Sequence, residues 1–120
     1  MTKLQKWQIN GIEDWGGVVS DDFKQFSRDF KSFLNRVCKA NGWELVKYSP
    51  NHYDCSWFIR KEDKYAYCSF SDVRYFSSSW YKNILYRTAS SPMDYHGGSN
   101  SYSSMNELGN SLKRLFARVS

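Results

Sequence analysis

Residues 53–72, YDCSWFIRKEDKYAYCSFSD, contain the sequence pattern from which the fold can be inferred. Apolar and polar side chains alternate over residues 53–60, a period of two that is typical of a β-strand with one buried face. A polar Lys-Glu-Asp-Lys turn sequence follows, and a second β-rich segment occupies residues 65–72. The pattern predicts an antiparallel hairpin in which these two segments are the strands and Arg60 lies near Tyr65.

A strand is also predicted before the hairpin and another after it. Residues 43–48 alternate in the same way, with Leu45 and Tyr48 on opposite faces, and Ser49-Pro50-Asn51 is a turn sequence. Residues 84–88 are short and β-rich and indicate a fourth strand. The following segment up to Ser103 contains Pro, two glycines and five serines, which favour a loop.

Amphipathic helices flank the predicted sheet. Residues 22–40 place phenylalanine, leucine and valine at steps of three and four, which gives one apolar stripe on a helix. Asp21 or Asp22 can cap its first turn, and Asn41-Gly42 supplies a left-handed end. Residues 104–107 read SMNE, a capping box that predicts a second helix up to the C-terminus.

The sequence therefore predicts one α+β domain over residues 21–120: an N-terminal helix, a three- to four-stranded antiparallel sheet and a C-terminal helix. Both helices are expected on one face of the sheet, and the other face is expected to meet water or a partner. Residues 1–20 are expected to form an irregular N-terminal arm, which Trp7 and Trp15 anchor to the domain or to another molecule.

The composition narrows the class of protein. The 120 residues include five tryptophans, nine tyrosines and eight phenylalanines, and the net charge is +5. Residues 1–22 hold two lysines against four acidic residues, so the positive charge belongs to the rest of the chain. These features exclude a coiled coil, a collagen-like chain and a disordered tail, and they disfavour an acidic mimic of DNA. They permit a polyanionic partner.

Hydropathy and cysteine content suggest a location in the cytoplasm. The chain has no run of 18 apolar residues that would span a membrane, and its first residues lack the apolar core of a signal peptide. Its three cysteines are an odd number, so we expect reduced thiols rather than a disulfide framework.

The sequence offers one candidate metal site and no catalytic motif. Cys55 and Cys68 lie on facing strands and His52 is near the first of them, so a zinc site with these three ligands is one alternative. The other is that the cysteines are small buried hydrophobic residues. No phosphate-binding loop or nucleophile elbow is present, so we expect no enzyme activity and no cofactor.

Aromatic residues outnumber the positions that one small core offers, which predicts an exposed aromatic and basic contact surface. We expect Trp80 and Tyr75 to be its anchors. The full predicted set is Arg74, Tyr75, Phe76, Trp80, Tyr81, Lys82, Arg87 and Lys113.

Arg87 admits two interpretations. It ends a strand and precedes a loop that contains Asp94, two glycines and Asn100. A bidentate pair with Asp94 would hold this loop shut. Alternatively, the guanidinium would offer its donors to a phosphate or carboxylate of a partner.

A resemblance rests on three segments: NHYDCSWFIRKEDKYAYCSFSDVRY at residues 51–75, ILYRTA at residues 84–89 and DYHGGSN at residues 94–100. They resemble small uncharacterised proteins of phages and conjugative elements in Firmicutes, and the likeness covers roughly residues 22–116. The resemblance implies an accessory protein of a mobile genetic element that acts in the bacterial host cell. Some small proteins of that setting are anti-CRISPR inhibitors.

The leading hypothesis is therefore a non-enzymatic anti-defence protein of the anti-CRISPR type, whose partner is a CRISPR effector nuclease or its complex with guide RNA. The alternatives are a small basic protein that binds DNA or RNA directly and a zinc-binding module.

Overall fold

A computed structural model describes residues 21–51, 53–71, 82–95 and 99–118. Helix α1 spans Asp21–Asn41 and helix α2 spans Leu108–Arg118. Between them lie five strands in sequence order: β1 (Glu44–Pro50), β2 (Cys55–Lys61), β3 (Lys64–Phe70), β4 (Ile84–Ala89) and β5 (Ser101–Ser103). Every neighbouring pair is antiparallel, in the order β1-β2-β3-β4-β5. The predicted α+β class is confirmed, with one strand more than expected; the arm lies outside the described residues.

The end of α1 follows from its sequence. The backbone N–H of Trp43 donates to Cys38 O at 2.8 Å, and the N–H of Gly42 donates to Lys39 O at 3.5 Å. This pair of bonds is the Schellman arrangement, which needs a left-handed residue just beyond the helix. Gly42 supplies it with a φ of 72°. The predicted stop at Asn41-Gly42 is confirmed.

The central hairpin has the predicted register. Arg60 pairs with Tyr65, and Trp57 pairs with Cys68. Glu62 at the tip has a φ of 57°, and Arg60 Nε donates to its carbonyl oxygen at 2.6 Å. This local bond supports a turn that lacks the glycine usually found in such hairpins.

The predicted turn at residues 49–51 is wrong. Ser49 and Pro50 are the last residues of β1 and pair with Ser56 and Cys55. The register shifts between Val46 and Ser49, where Lys47 has a φ of 51°. This bulge lets the edge strand continue, and it also turns Tyr48 to the same face as Leu45, where both pack against the core. The chain reverses later, where Asn51 N donates to Asp54 O at 2.9 Å.

The loop predicted up to residue 103 ends in strand β5, which pairs with Ile84 to Tyr86. A three-residue serine-rich edge strand has no apolar alternation that would reveal it. Beyond it, Glu107 N donates to Ser104 Oγ at 3.2 Å, so the Ser104 half of the predicted capping box is present before α2.

Both helices cover the same face of the sheet, as predicted, and enclose one core. On α1, Phe30 packs edge-on against Trp57 and Phe70, with ring centroids 5.3 Å away in each case. On α2, Phe116 packs against Trp43 at 5.2 Å. Neither helix combines the length and the hydrophobicity that crossing a membrane requires.

Candidate functional site

The face of the sheet that points away from the helices, here called the outer face, carries a row of large side chains. Phe58 on β2, Tyr67 on β3 and Arg87 on β4 are direct cross-strand neighbours. The Phe58 and Tyr67 rings are 5.2 Å apart, and the guanidinium of Arg87 lies over the Tyr67 ring at 4.5 Å from its centroid. Aromatic and cation–π contacts of this kind hold the row together.

Residues 90–95, here called the strap, cover this row. Tyr95 packs edge-on against Phe58 and Tyr67, with centroid distances of 5.3 and 5.8 Å. Met93 Sδ contacts Lys47 Nζ, so the strap reaches from the end of β4 as far as β1. Phe58 is consequently only 1 % exposed although it points away from the helices. The strap therefore shields the middle of the outer face, around Phe58, from solvent.

Arg87 attaches the strap to the sheet. It is only 3 % exposed, and its Nη2 donates to the main-chain oxygen of Asp94 at 3.0 Å. Its Nη1 donates to Thr88 O at 3.1 Å. The predicted bidentate pair with the Asp94 carboxylate is wrong, because Oδ2 of that carboxylate accepts from N and Oγ of Ser90 instead, at 2.9 and 3.1 Å. The interpretation of Arg87 as a clamp for this loop is confirmed, through the main chain.

Two of the other predicted contact residues lie in the part of the chain that the structure describes. Lys82 is exposed in the turn before β4, and Lys113 is exposed on α2. Because α2 lies on the opposite side of the sheet from Arg87, Lys113 and Arg87 do not share a surface. The remaining predicted members lie outside the described residues: Arg74, Tyr75, Phe76, Trp80 and Tyr81. Their role in partner contact stays a prediction.

The thiols lie in the core. Cys55 and Cys68 point to the same face of the sheet, and both are buried. Burial raises the pKa of the Cys38 thiol to about 11, that of Cys55 to about 12 and that of Cys68 further still. Free thiols in this setting stay protonated at neutral pH and are poor nucleophiles. His52 lies outside the described residues, among which no group of three or more His, Cys, Asp or Glu side chains is arranged to hold a metal ion.

A basic groove that the sequence patterns did not indicate lies between α1 and β1. It has a volume of about 600 Å³, and its cationic wall consists of Lys24, Arg28 and Lys31 on α1. Tyr48 forms the opposite wall, because the bulge in β1 turns it toward the helix. The described lining is completed by Phe23, Ser27, Pro50 and Asn51, and it contains no acidic residue.

The sequence did carry one signal for this groove. The three cationic residues recur at steps of four and three, which places them on one face of α1. The sequence carried no signal for the opposite wall, because strict alternation along β1 assigns Tyr48 to the other face of the sheet.

Comparisons with protein-family models, with curated proteins and with solved structures found no match to this chain.

Proposed function

We propose that this chain is a non-enzymatic binding protein that docks onto a protein partner through the strap and the neighbouring edge of the outer face. The observation that carries the proposal is the placement of exposed apolar side chains. Among the described residues, the large hydrophobic side chains that are exposed are Met93 (66 %), Tyr95 (46 %) and Tyr102 (54 %). Met93 and Tyr95 belong to the strap, and Tyr102 on β5 pairs with Leu85 on the outer face.

These residue types suit a protein interface. Tyrosine offers a large, rigid contact area with a polar end, and methionine adapts its shape to a partner. The clamp by Arg87 and the packing of Tyr95 on Phe58 hold the strap in one conformation before binding. A preordered surface loses less conformational entropy on association, which favours affinity.

The resemblance to mobile-element proteins supplies the class of partner. Within that setting the proposed partner is a CRISPR effector nuclease, alone or loaded with guide RNA, and the proposed activity is inhibition. A net charge of +5 supports contact with a surface that normally holds nucleic acid, rather than imitation of the nucleic acid itself.

The test is capture of purified effector nucleases of several CRISPR types by the immobilised chain, followed by affinity measurement on any effector retained. Met93→Gln with Tyr102→Ser should weaken that affinity about tenfold or more, because truncation of well-placed interface residues costs at least about 1.4 kcal/mol. Asn35→Ala, an exposed change on α1, is the matched control and should leave affinity unchanged. Failure to retain any effector would contradict the proposal.

A further inference from the structure

The basic groove presents its cations in a line. Lys24, Arg28 and Lys31 are separated by four and three residues on α1, so they span about 10 Å along the helix axis. Arg28 Nη2 donates to the neutral Oε1 of Gln25 at 2.7 Å, and Lys31 Nζ lies 5.9 Å from the centroid of the Tyr48 ring. Neither of these contacts neutralises a positive charge.

The wall opposite the cations is fixed in place. Tyr48 Oη donates to the main-chain oxygen of Ser27 at 2.8 Å, which ties β1 to the second turn of α1. Burial raises the pKa of Tyr48 well above its usual value, so this hydroxyl remains a donor at all physiological pH values. The groove is therefore a preformed channel, open to solvent, whose described lining carries positive charge only.

We infer that this groove binds the phosphodiester backbone of a nucleic acid. A row of three cations complements a chain of regularly repeated negative charges better than it complements an isolated carboxylate, and release of condensed counterions adds to the affinity. The planar fork of Arg28 suits two oxygens of one phosphate, while Lys24 and Lys31 act as point charges on its neighbours. Contact of this type is independent of base sequence.

The inference goes beyond the proposed function and does not depend on it. The groove lies on the helix side of β1, whereas the strap lies on the outer face. Contact with a protein through the strap and contact with phosphates through the groove can therefore occur together, as they would on an effector loaded with guide RNA.

The experiment measures binding of fluorescently labelled single-stranded RNA and duplex DNA to the full chain by anisotropy. Three phosphate contacts predict a slope of log affinity against log salt of about −2.1 for the single strand and about −2.7 for the duplex. Affinity should accordingly fall about 20-fold and about 40-fold between 50 and 200 mM salt. The comparison of the two ligands tells which source of phosphodiester the groove prefers.

Variants that remove positive charges test whether the groove is the site of nucleic-acid binding. Combining Lys24→Gln, Arg28→Gln and Lys31→Gln should abolish most binding, and each single change should reduce the slope by about 1. The matched control combines Arg36→Gln, Lys39→Gln and Arg114→Gln, which removes the same charge from exposed positions outside the described lining. The control should retain the wild-type slope.

Two results would overturn the inference: equal loss of binding in the groove and control variants, or a wild-type slope near zero. Preferential binding of poly-glutamate over both nucleic acids would also overturn it, since the groove would then recognise carboxylates. If the chain captures an effector but binds no naked nucleic acid, the inference about the groove is wrong and the proposed function is unaffected. If it binds naked nucleic acid but captures no effector, only the proposed function is wrong.

Discussion

Arg87 Nη2 and the main-chain oxygen of Asp94 lie 3.0 Å apart, and this hydrogen bond joins the strap to the central part of the sheet. The guanidinium is almost fully buried, and within the described structure its charge is stabilised by carbonyl oxygens and the face of Tyr67. The candidate partner surface therefore depends on a residue that is itself hidden from the partner.

Replacement of the clamp should destabilise the protein. Arg87→Lys retains the charge but not the planar fork that reaches two carbonyl groups, so we expect the free energy of unfolding to fall by about 1–3 kcal/mol. Urea denaturation measures this. Arg114→Lys is the control, because Arg114 is exposed on α2, and it should cost less than about 0.5 kcal/mol. Equal effects of the two changes would show that Arg87 is not a clamp.

The bulge in β1 depends on a left-handed residue at position 47. Lys47→Val should lower the free energy of unfolding by about 1–2 kcal/mol, since a β-branched side chain resists the φ of 51°. Lys47→Gly removes the same contact with Met93, but glycine adopts this φ without strain. The glycine variant should therefore be at least as stable as the wild type and more stable than the valine variant. Thermal unfolding of the two variants provides the measurement. A valine variant as stable as the glycine variant would argue against the bulge.

Two glycines should respond to alanine in opposite directions. A Cβ on Gly109 would meet Val37 Cγ1 at 3.5 Å, an ordinary contact, so Gly109→Ala should stabilise α2 by about 0.5–1 kcal/mol. Gly42 has open space around it but a φ of 72°, so Gly42→Ala should cost about 1 kcal/mol or more. Chemical denaturation of both variants tests the helix end and the contact between the two helices together. Destabilisation by Gly109→Ala would contradict the packing described.

Stability should decline in alkaline solution. The folded-state pKa values of Cys38 and Cys55, about 11 and about 12, lie above the usual value for a free thiol because the thiols are buried. The unfolded chain therefore loses protons first, and the folded state loses stability as pH rises above about 9. Within that window each thiol lowers the free energy of unfolding by up to about 1.4 kcal/mol per pH unit. Urea unfolding at pH 8, 9 and 10 should show a falling midpoint, and a constant midpoint would indicate exposed thiols.

Local patterns account for what the sequence predicted well. The hairpin of β2 and β3 is defined by two alternating segments and a short polar turn, and the end of α1 is defined by Asn41-Gly42. Each is determined by residues close together in the chain. The helices were likewise recognisable from their apolar stripes and, for α2, from Ser104.

The candidate surfaces depend on contacts between residues far apart in the chain. The bulge at Lys47 redirects Tyr48 toward α1, and only this long-range contact creates the second wall of the groove. The strap has no periodicity that would indicate its path, which Arg87, Phe58 and Tyr67 determine through packing. Neither arrangement could be predicted from alternation or propensity alone.

The strap and β5 together form the proposed contact with the protein partner. Hydrogen–deuterium exchange of the chain, alone and bound to a captured effector, measures this contact residue by residue. We expect exchange to slow on binding at the backbone amides of Ser90, Ser91, Tyr102 and residues 93–95, because Pro92 has no amide hydrogen, whereas exchange of the α2 amides should not change. Protection confined to α2, with the strap exchanging as fast as in the free chain, would contradict it.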